Sequence, residues 1–295
     1  MVDRTGKPLS KGLRRRRVRN PRISPDGSQI AFQAASADGI ENIWVYDIEN
    51  DIDVQLTYNG YSFSPVWDRD GKRVTYSSER DGKNNLFWKA ADGSSEEELL
   101  WHKQPHLLPG SWSLDGKHLA FYEINERSRD IGVLSLQDSS KSVFVATEAN
   151  EISPVFSPDG NWIAYSSNET GRYEVYVKPY PVTGARYQIS IGGGNQPVWA
   201  PDGNELFYRK GNKMMVVTIE TDPAFKRGTP RKLFEGYWAK DNKRLTRASY
   251  DIHPDGDRFL MIEQEEEKAI NHINVVLNWV EELKRLKVPG ASHDR

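Results

Sequence analysis

Short apolar runs separated by polar turns recur along almost the whole chain, and the pattern returns about every 45 residues. Its fixed point is an Asp-Gly pair, at Asp26-Gly27, Asp70-Gly71, Asp115-Gly116, Asp159-Gly160, Asp202-Gly203 and Asp255-Gly256. The aspartates are spaced 44, 45, 44, 43 and 53 apart. Four positions after each stands an apolar residue: Ile30, Val74, Leu119, Ile163, Leu206 and Phe259. Three before it stands Ile23, Trp67, Trp112, Phe156, Trp199 or Ile252, and five before it a proline in four copies, Pro21, Pro65, Pro154 and Pro197. Such self-similarity marks one supersecondary unit repeated along the chain.

Each unit reads as four antiparallel strands. In Ser157-Pro158-Asp159-Gly160 the proline presets a turn dihedral, the aspartate bonds to nearby amides, and glycine accepts the positive φ that closes a hairpin. Alternating or apolar strands follow, as in Trp162–Tyr165, Tyr173–Val177 and Tyr187–Ser190. Four short strands at this period make a propeller blade. The expected fold is all-β: a single six-bladed propeller over residues 1–295, with anchors at 24–27, 68–71, 113–116, 157–160, 200–203 and 253–256. In the sixth blade a third strand is expected at His272–Leu277, followed by a short helix at about 278–287, where Trp279, Val280, Leu283 and Leu286 share a face. The outer strand of that blade is then expected from the N-terminus, near Lys7-Pro8-Leu9, closing the ring.

Composition agrees with many half-exposed strands. Mean hydropathy is −0.71, yet aromatic residues reach 11% of the chain, unlike a disordered sequence. The net charge of −2 gives no overall field toward nucleic acid, and the lack of cysteine removes disulfides and thiolate chemistry. No run of 18 apolar residues occurs and no apolar stretch follows the N-terminal charges, so neither a transmembrane helix nor a signal peptide is expected.

The Ser-Pro-Asp-Gly anchors, followed by Ile30-Ala31-Phe32 or Ile163-Ala164-Tyr165, resemble the TolB-like β-propeller repeat over residues 20–279. Val2–Gly6, Asn42–Asp47, Gly192–Trp199 and Asn274–Trp279 are similar to propellers at the C-terminal end of bacterial serine/threonine kinases, where such domains are sensors or interaction modules. No kinase motif accompanies them, and the Gly-x-Ser-x-Gly elbow of peptidases that carry related propellers is absent. The resemblance implies a bacterial binding or sensor module and favours a periplasmic or other extracytoplasmic location.

Candidate chemistry falls on the loops opposite the Asp-Gly turns. A monomeric, non-catalytic module is expected to take a protein, peptide or small ligand there. Tyr61, Phe63 and Trp238 would supply apolar contacts; Arg129, Arg172, Lys240 and Arg247 would pair with carboxylates. The alternative is a lactonase- or esterase-like hydrolase with His106 and Glu151 as catalytic pair and a channel calcium held by Asn20, Asn150, Glu151 and Asn195. No His-x-His or His-Glu-x-x-His pair supports zinc. The anchor aspartates read as turn formers spaced around the perimeter, Trp67, Trp112 and Trp199 as wedges between blades, and Arg14–Arg17 as a solvated linker rather than a nucleic-acid patch.

Overall fold

Each Asp-Gly pair closes the hairpin between the first two strands of a sheet. The structure, a computed structural model, describes residues 1–9, 17–80, 82–102, 106–239 and 249–263, all within one compact unit, Met1–Gln264; a second unit, Glu265–Arg295, lies outside the described residues. The first blade is β1 (Arg19–Ile23), β2 (Gln29–Ala35), β3 (Glu41–Asp47) and β4 (Ile52–Gln55). The second is β5 (Tyr61–Trp67), β6 (Arg73–Arg80), β7 (Lys83–Ala90) and β8 (Glu98–Trp101). The third is β9 (His106–Trp112), β10 (His118–Ile124), β11 (Arg129–Ser135) and β12 (Ser140–Val145). The fourth is β13 (Glu151–Phe156), β14 (Trp162–Ser167), β15 (Glu174–Pro179) and β16 (Tyr187–Gln188). In the fifth, β17 (Asn195–Trp199), β18 (Glu205–Lys210) and β19 (Lys213–Glu220) are followed by β20 (Lys226–Arg227) and β21 (Arg231–Glu235), which pair with different stretches of β19.

The sixth repeat contributes only a two-stranded sheet, β22 (Tyr250–Ile252) and β23 (Phe259–Met261). The expected six-bladed ring is therefore corrected: the described residues form five blades, and no helix occurs among them. The expected third strand and the helix at 278–287 lie outside the described residues. The free flank of β23 is held by the N-terminus, where Val2 exchanges two 2.8 Å backbone hydrogen bonds with Phe259 and bridges Pro8 on its other side. Val2 makes a single-residue bridge rather than a strand because the chain reverses at once: Asp3 Oδ1 accepts the amides of Thr5 (2.8 Å) and Lys7 (3.0 Å), and Gly6 donates to the Asp3 carbonyl.

The wedge residues make the contacts between blades. Trp67, Trp112, Phe156 and Trp199 are buried. The Trp67 indole donates to the Arg22 carbonyl of the first blade (2.9 Å), and the Trp199 indole makes the same bond to the Val155 carbonyl of the fourth (3.2 Å). Trp112 instead donates to the Thr75 hydroxyl (3.2 Å). Burying a large aromatic face while pairing its one polar atom is what a wedge between sheets requires.

The recurrent prolines mark a second shared device. Asn20, Ser64, Ser153 and Gln196, which precede Pro21, Pro65, Pro154 and Pro197, have φ of 49°, 56°, 55° and 55°. The inner-strand register shifts at each of these sites. A proline lacks the N–H a ladder needs, so it is accommodated in a bulge, and the residue before it adopts a left-handed conformation costing about 1–3 kcal/mol. In the third blade Pro109 stands one position earlier and the bulge falls at Gly110.

Trp199→Ala should cost about 3–5 kcal/mol in denaturant unfolding. Trp199→Phe, which keeps the wedge but loses one hydrogen bond, should cost about 1–2 kcal/mol. Equal losses for the two variants would show that the indole bond, rather than the packed ring, holds the blades together.

Candidate functional site

The inner strands of all six repeats enclose a channel cavity of about 430 Å³. Two rings of repeat-equivalent residues line it. The position just before each wedge residue supplies Arg22, Val66, Ser111, Val155, Val198 and Asp251. The position before each anchor aspartate supplies Pro25, Arg69, Leu114, Pro158, Pro201 and Pro254. The second ring lies in the Asp-Gly turns, so the cavity reaches the face that carries them.

Five of the six turns touch the turn of the preceding repeat, in contrast to the expected spacing around the perimeter. A Cβ on Gly71 would lie 3.3 Å from Pro25, on Gly160 3.5 Å from Leu114, and on Gly256 3.7 Å from Pro201. Within a turn the chemistry is as read from sequence: Ser24 Oγ donates to Asp26 (2.5 Å) and accepts the Gln29 amide (2.9 Å), while Asp26 accepts the Ser28 amide (3.0 Å). These bonds, the serine hydroxyl foremost, hold Asp26 and Asp115 below the usual carboxylate range. In the second repeat Asp68 replaces the serine and accepts the Arg73 amide in its place (3.0 Å). Burial and the neighbouring Asp70 push the Asp68 carboxyl up. At Asp255 burial raises the pKa, but the amides of Asp257 and Arg258 and the Arg258 guanidinium (2.6 Å) outweigh it and bring it down to about 2.

Two charged residues of opposite sign, Arg22 and Asp251, stand in adjoining repeats of the channel wall. Asp251 Oδ2 accepts the Ile23 amide (2.8 Å), as Ser111 Oγ accepts the Phe156 amide (2.7 Å) between the third and fourth blades. Arg22 donates to the Pro21 carbonyl (2.8 Å). Burial in the wall pushes Asp251 up, opposed by the Arg22 charge. Sequence reasoning missed this pair, although its signal is simple: each is the polar neighbour of a wedge residue, where strand alternation turns it toward the channel.

The residues expected on the opposite loops come from different blades. Tyr61 is 37% exposed and its ring lies 5.5 Å from that of Phe63, which is buried. Arg129 opens β11 and bridges Asn150, and Arg172 is exposed with Nε 3.5 Å from Glu174. Trp238 packs against Phe234 (6.1 Å) and bridges Glu263; Lys240 and Arg247 lie outside the described residues. His106 Nδ1 accepts the Asn84 amide (3.2 Å), while Glu151, fully buried, accepts the hydroxyls of Thr147 (2.8 Å) and Ser167 (3.0 Å). Asn20 donates to Gln33 (2.7 Å), and Asn195 pairs across the ladder with Arg209. Among the described residues no group of three or more His, Asp or Glu is placed to hold a metal ion, and no helix is long and apolar enough to cross a membrane.

The model of the TolB beta propeller domain matches this sequence at residues 12–143 and 86–285, most of the chain. The chain belongs to this family. A relative named Tol-Pal system protein TolB, from Francisella tularensis, is 24% identical over 157 residues. That match covers 52% of this chain and 36% of the relative, so the chain spans about a third of the length of the curated relatives it matches. Among solved structures, a TolB of Agrobacterium tumefaciens superposes with a TM-score of 0.67 at 17% identity, covering 84% of this chain and 89% of that one. An oligogalacturonate lyase from Vibrio parahaemolyticus reaches 0.53 at 14% identity, covering 83% and 86%. These likenesses show the fold alone, since propellers carry unrelated functions.

Two outcomes follow from the TolB-type channel. Asp251→Ala leaves the Ile23 amide without its acceptor and should lower stability by about 1–3 kcal/mol, while Asp251→Asn, which keeps a carbonyl oxygen there, should recover most of it. Equal stability of all three proteins in urea would remove Asp251 from the closure. For Asp255, a folded pKa below the ordinary value gives stability that is fully present above about pH 4 and is lost as pH falls toward 2. The melting temperature of Asp255→Asn should therefore fall less steeply than wild type between those values; parallel curves would contradict it.

Proposed function

We propose that this TolB-family propeller is a non-catalytic recognition module that binds a protein or peptide segment at the channel. The supporting observation is the cavity itself: about 430 Å³, within the range of ligand sites, ringed at its mouth by four prolines, Leu114 and Arg69, with Arg22 and Asp251 set in its wall. A mostly apolar rim with a few placed charged groups suits an inserted side chain or chain end. Tyr61, Arg129 and Arg172 remain candidate contacts for a partner that extends to the opposite loops. Family membership supports an extracytoplasmic location, and the resemblance of Asn42–Asp47 and Gly192–Trp199 to kinase-linked propellers would fit a sensor role within the same reading.

A channel-filling variant tests this. Val155 lines the cavity and is half-buried, so Val155→Trp narrows the channel. Wild type and variant, matched for melting temperature, would be used as baits in lysate of the source organism, with bound proteins identified by mass spectrometry. The expected result is a partner held by wild type and lost by Val155→Trp. Recovery of the same proteins by both baits would move recognition off the channel.

A further inference from the structure

The first blade differs from the others in charge. No position between Arg22 and Arg69 is lysine or arginine, while Asp47, Glu49, Asp51 and Asp53 crowd its outer hairpin. Among the described residues none of Asp47, Glu49, Asp51 and the adjoining Asp92 forms an ion pair. The local field is felt by Tyr46: burial, the hydrogen bond it donates to Asp51 (2.8 Å) and the charges of Asp51, Asp47 and Asp53 push its phenol up to about 12.

The same hairpin ends in an unguarded strand. Among the described residues β4 is the edge of its sheet, and no strand pairs with the outer side of its backbone. Other outer strands carry devices that discourage pairing: β12 holds Lys141, β21 opens with Arg231-Lys232, and β16 has only two residues. β8 exposes one apolar residue, Leu99. β4 has no cation and exposes two, Ile52 at 57% and Val54 at 51%. These two line a cavity of about 180 Å³ with Val45, Ala91, Asp47 and Asp92, between the first and second blades. The register, Val45 opposite Val54 and Asp47 opposite Ile52, puts the exposed apolar pair on the cavity side and Asp53 on the other face of the sheet.

We propose that the outer edge of the first blade is a docking strand for an extended, basic protein segment, which adds to β4 and alternates apolar residues with lysine or arginine. Main-chain bonds to the free edge supply affinity. Alternate side chains then meet the two faces differently: the apolar set covers Ile52 and Val54 over the cavity, and the cations meet Asp51, which the Tyr46 hydroxyl holds at the other face. This surface is separate from the channel, and a partner could hold both.

The test uses the whole chain and a short acetylated peptide alternating lysine and valine. Two control peptides replace all lysines by glutamate or all valines by serine. Hydrogen exchange should show protection at Ile52–Gln55 with the lysine–valine peptide, and salt should weaken binding. Val54→Lys, at an exposed site, should raise Kd by about tenfold or more with an unchanged melting temperature, and Ile52→Thr should weaken binding less. The proposal is overturned if the lysine–serine peptide binds as well as lysine–valine, since attraction would then be charge alone. It is equally overturned if Val54→Lys binds like wild type, or if the protection lies elsewhere. Concentration-dependent sedimentation of wild type alone, abolished by Val54→Lys, would assign the edge to a second copy of this chain instead.

Discussion

Ring closure is the constraint on which the rest of the molecule depends. Each repeat can lean on its neighbour, but the first and last must meet across more than two hundred residues of chain. They do so at three radii. At the channel wall Asp251 accepts the Ile23 amide, and at the turn face a Cβ on Gly27 would lie 2.5 Å from the His253 ring. Farther out, Val2 completes the flank of β23, and Arg4 reaches both Glu205 (2.6 Å) and the Gly256 carbonyl (3.1 Å). The closing contact at the wall repeats the Ser111–Phe156 bond inside the array, so the seam between chain ends uses the same chemistry as an ordinary joint between blades.

That economy has a local cost. A bulge before Pro21, Pro65, Pro154 and Pro197 forces a left-handed residue into each of four inner strands, and these strands line the channel. Such strain persists only where the surroundings over-determine it. Around Gln196 they do: its carbonyl accepts the buried Tyr250 hydroxyl (2.8 Å), and its side-chain oxygen accepts the Ser249 amide and hydroxyl (both 3.2 Å). The bulges thus separate the two ends of each inner strand, one serving the loops and the other serving the channel and the turns.

The proposed recognition sites lie where repetition is broken. The wedges and turns recur from repeat to repeat, as the stacking of an array requires. Arg22 and Asp251 depart from the valine or serine of their repeat position, and β4 departs from the guarded edges of its neighbours.

Much of the frame was legible beforehand. The Asp-Gly spacing revealed the number of repeats, Ser-Pro-Asp-Gly the turn chemistry, and the recurrent tryptophans their place between blades, because each of these is decided by residues close in sequence. The location of the cavity was not legible. That five of the six turns meet the turn of the preceding repeat at the channel mouth, and that Arg22 and Asp251 adjoin, depends on the angle at which blades meet. The sixth sheet shows the same limit: its pattern predicted four strands, but Val2 takes the flank of β23. The sequence by itself determined the unit and its repetition, since hairpins are local. Only the tertiary structure decided how the ring closes and what lines its centre, because those contacts join residues with no periodic relation along the chain.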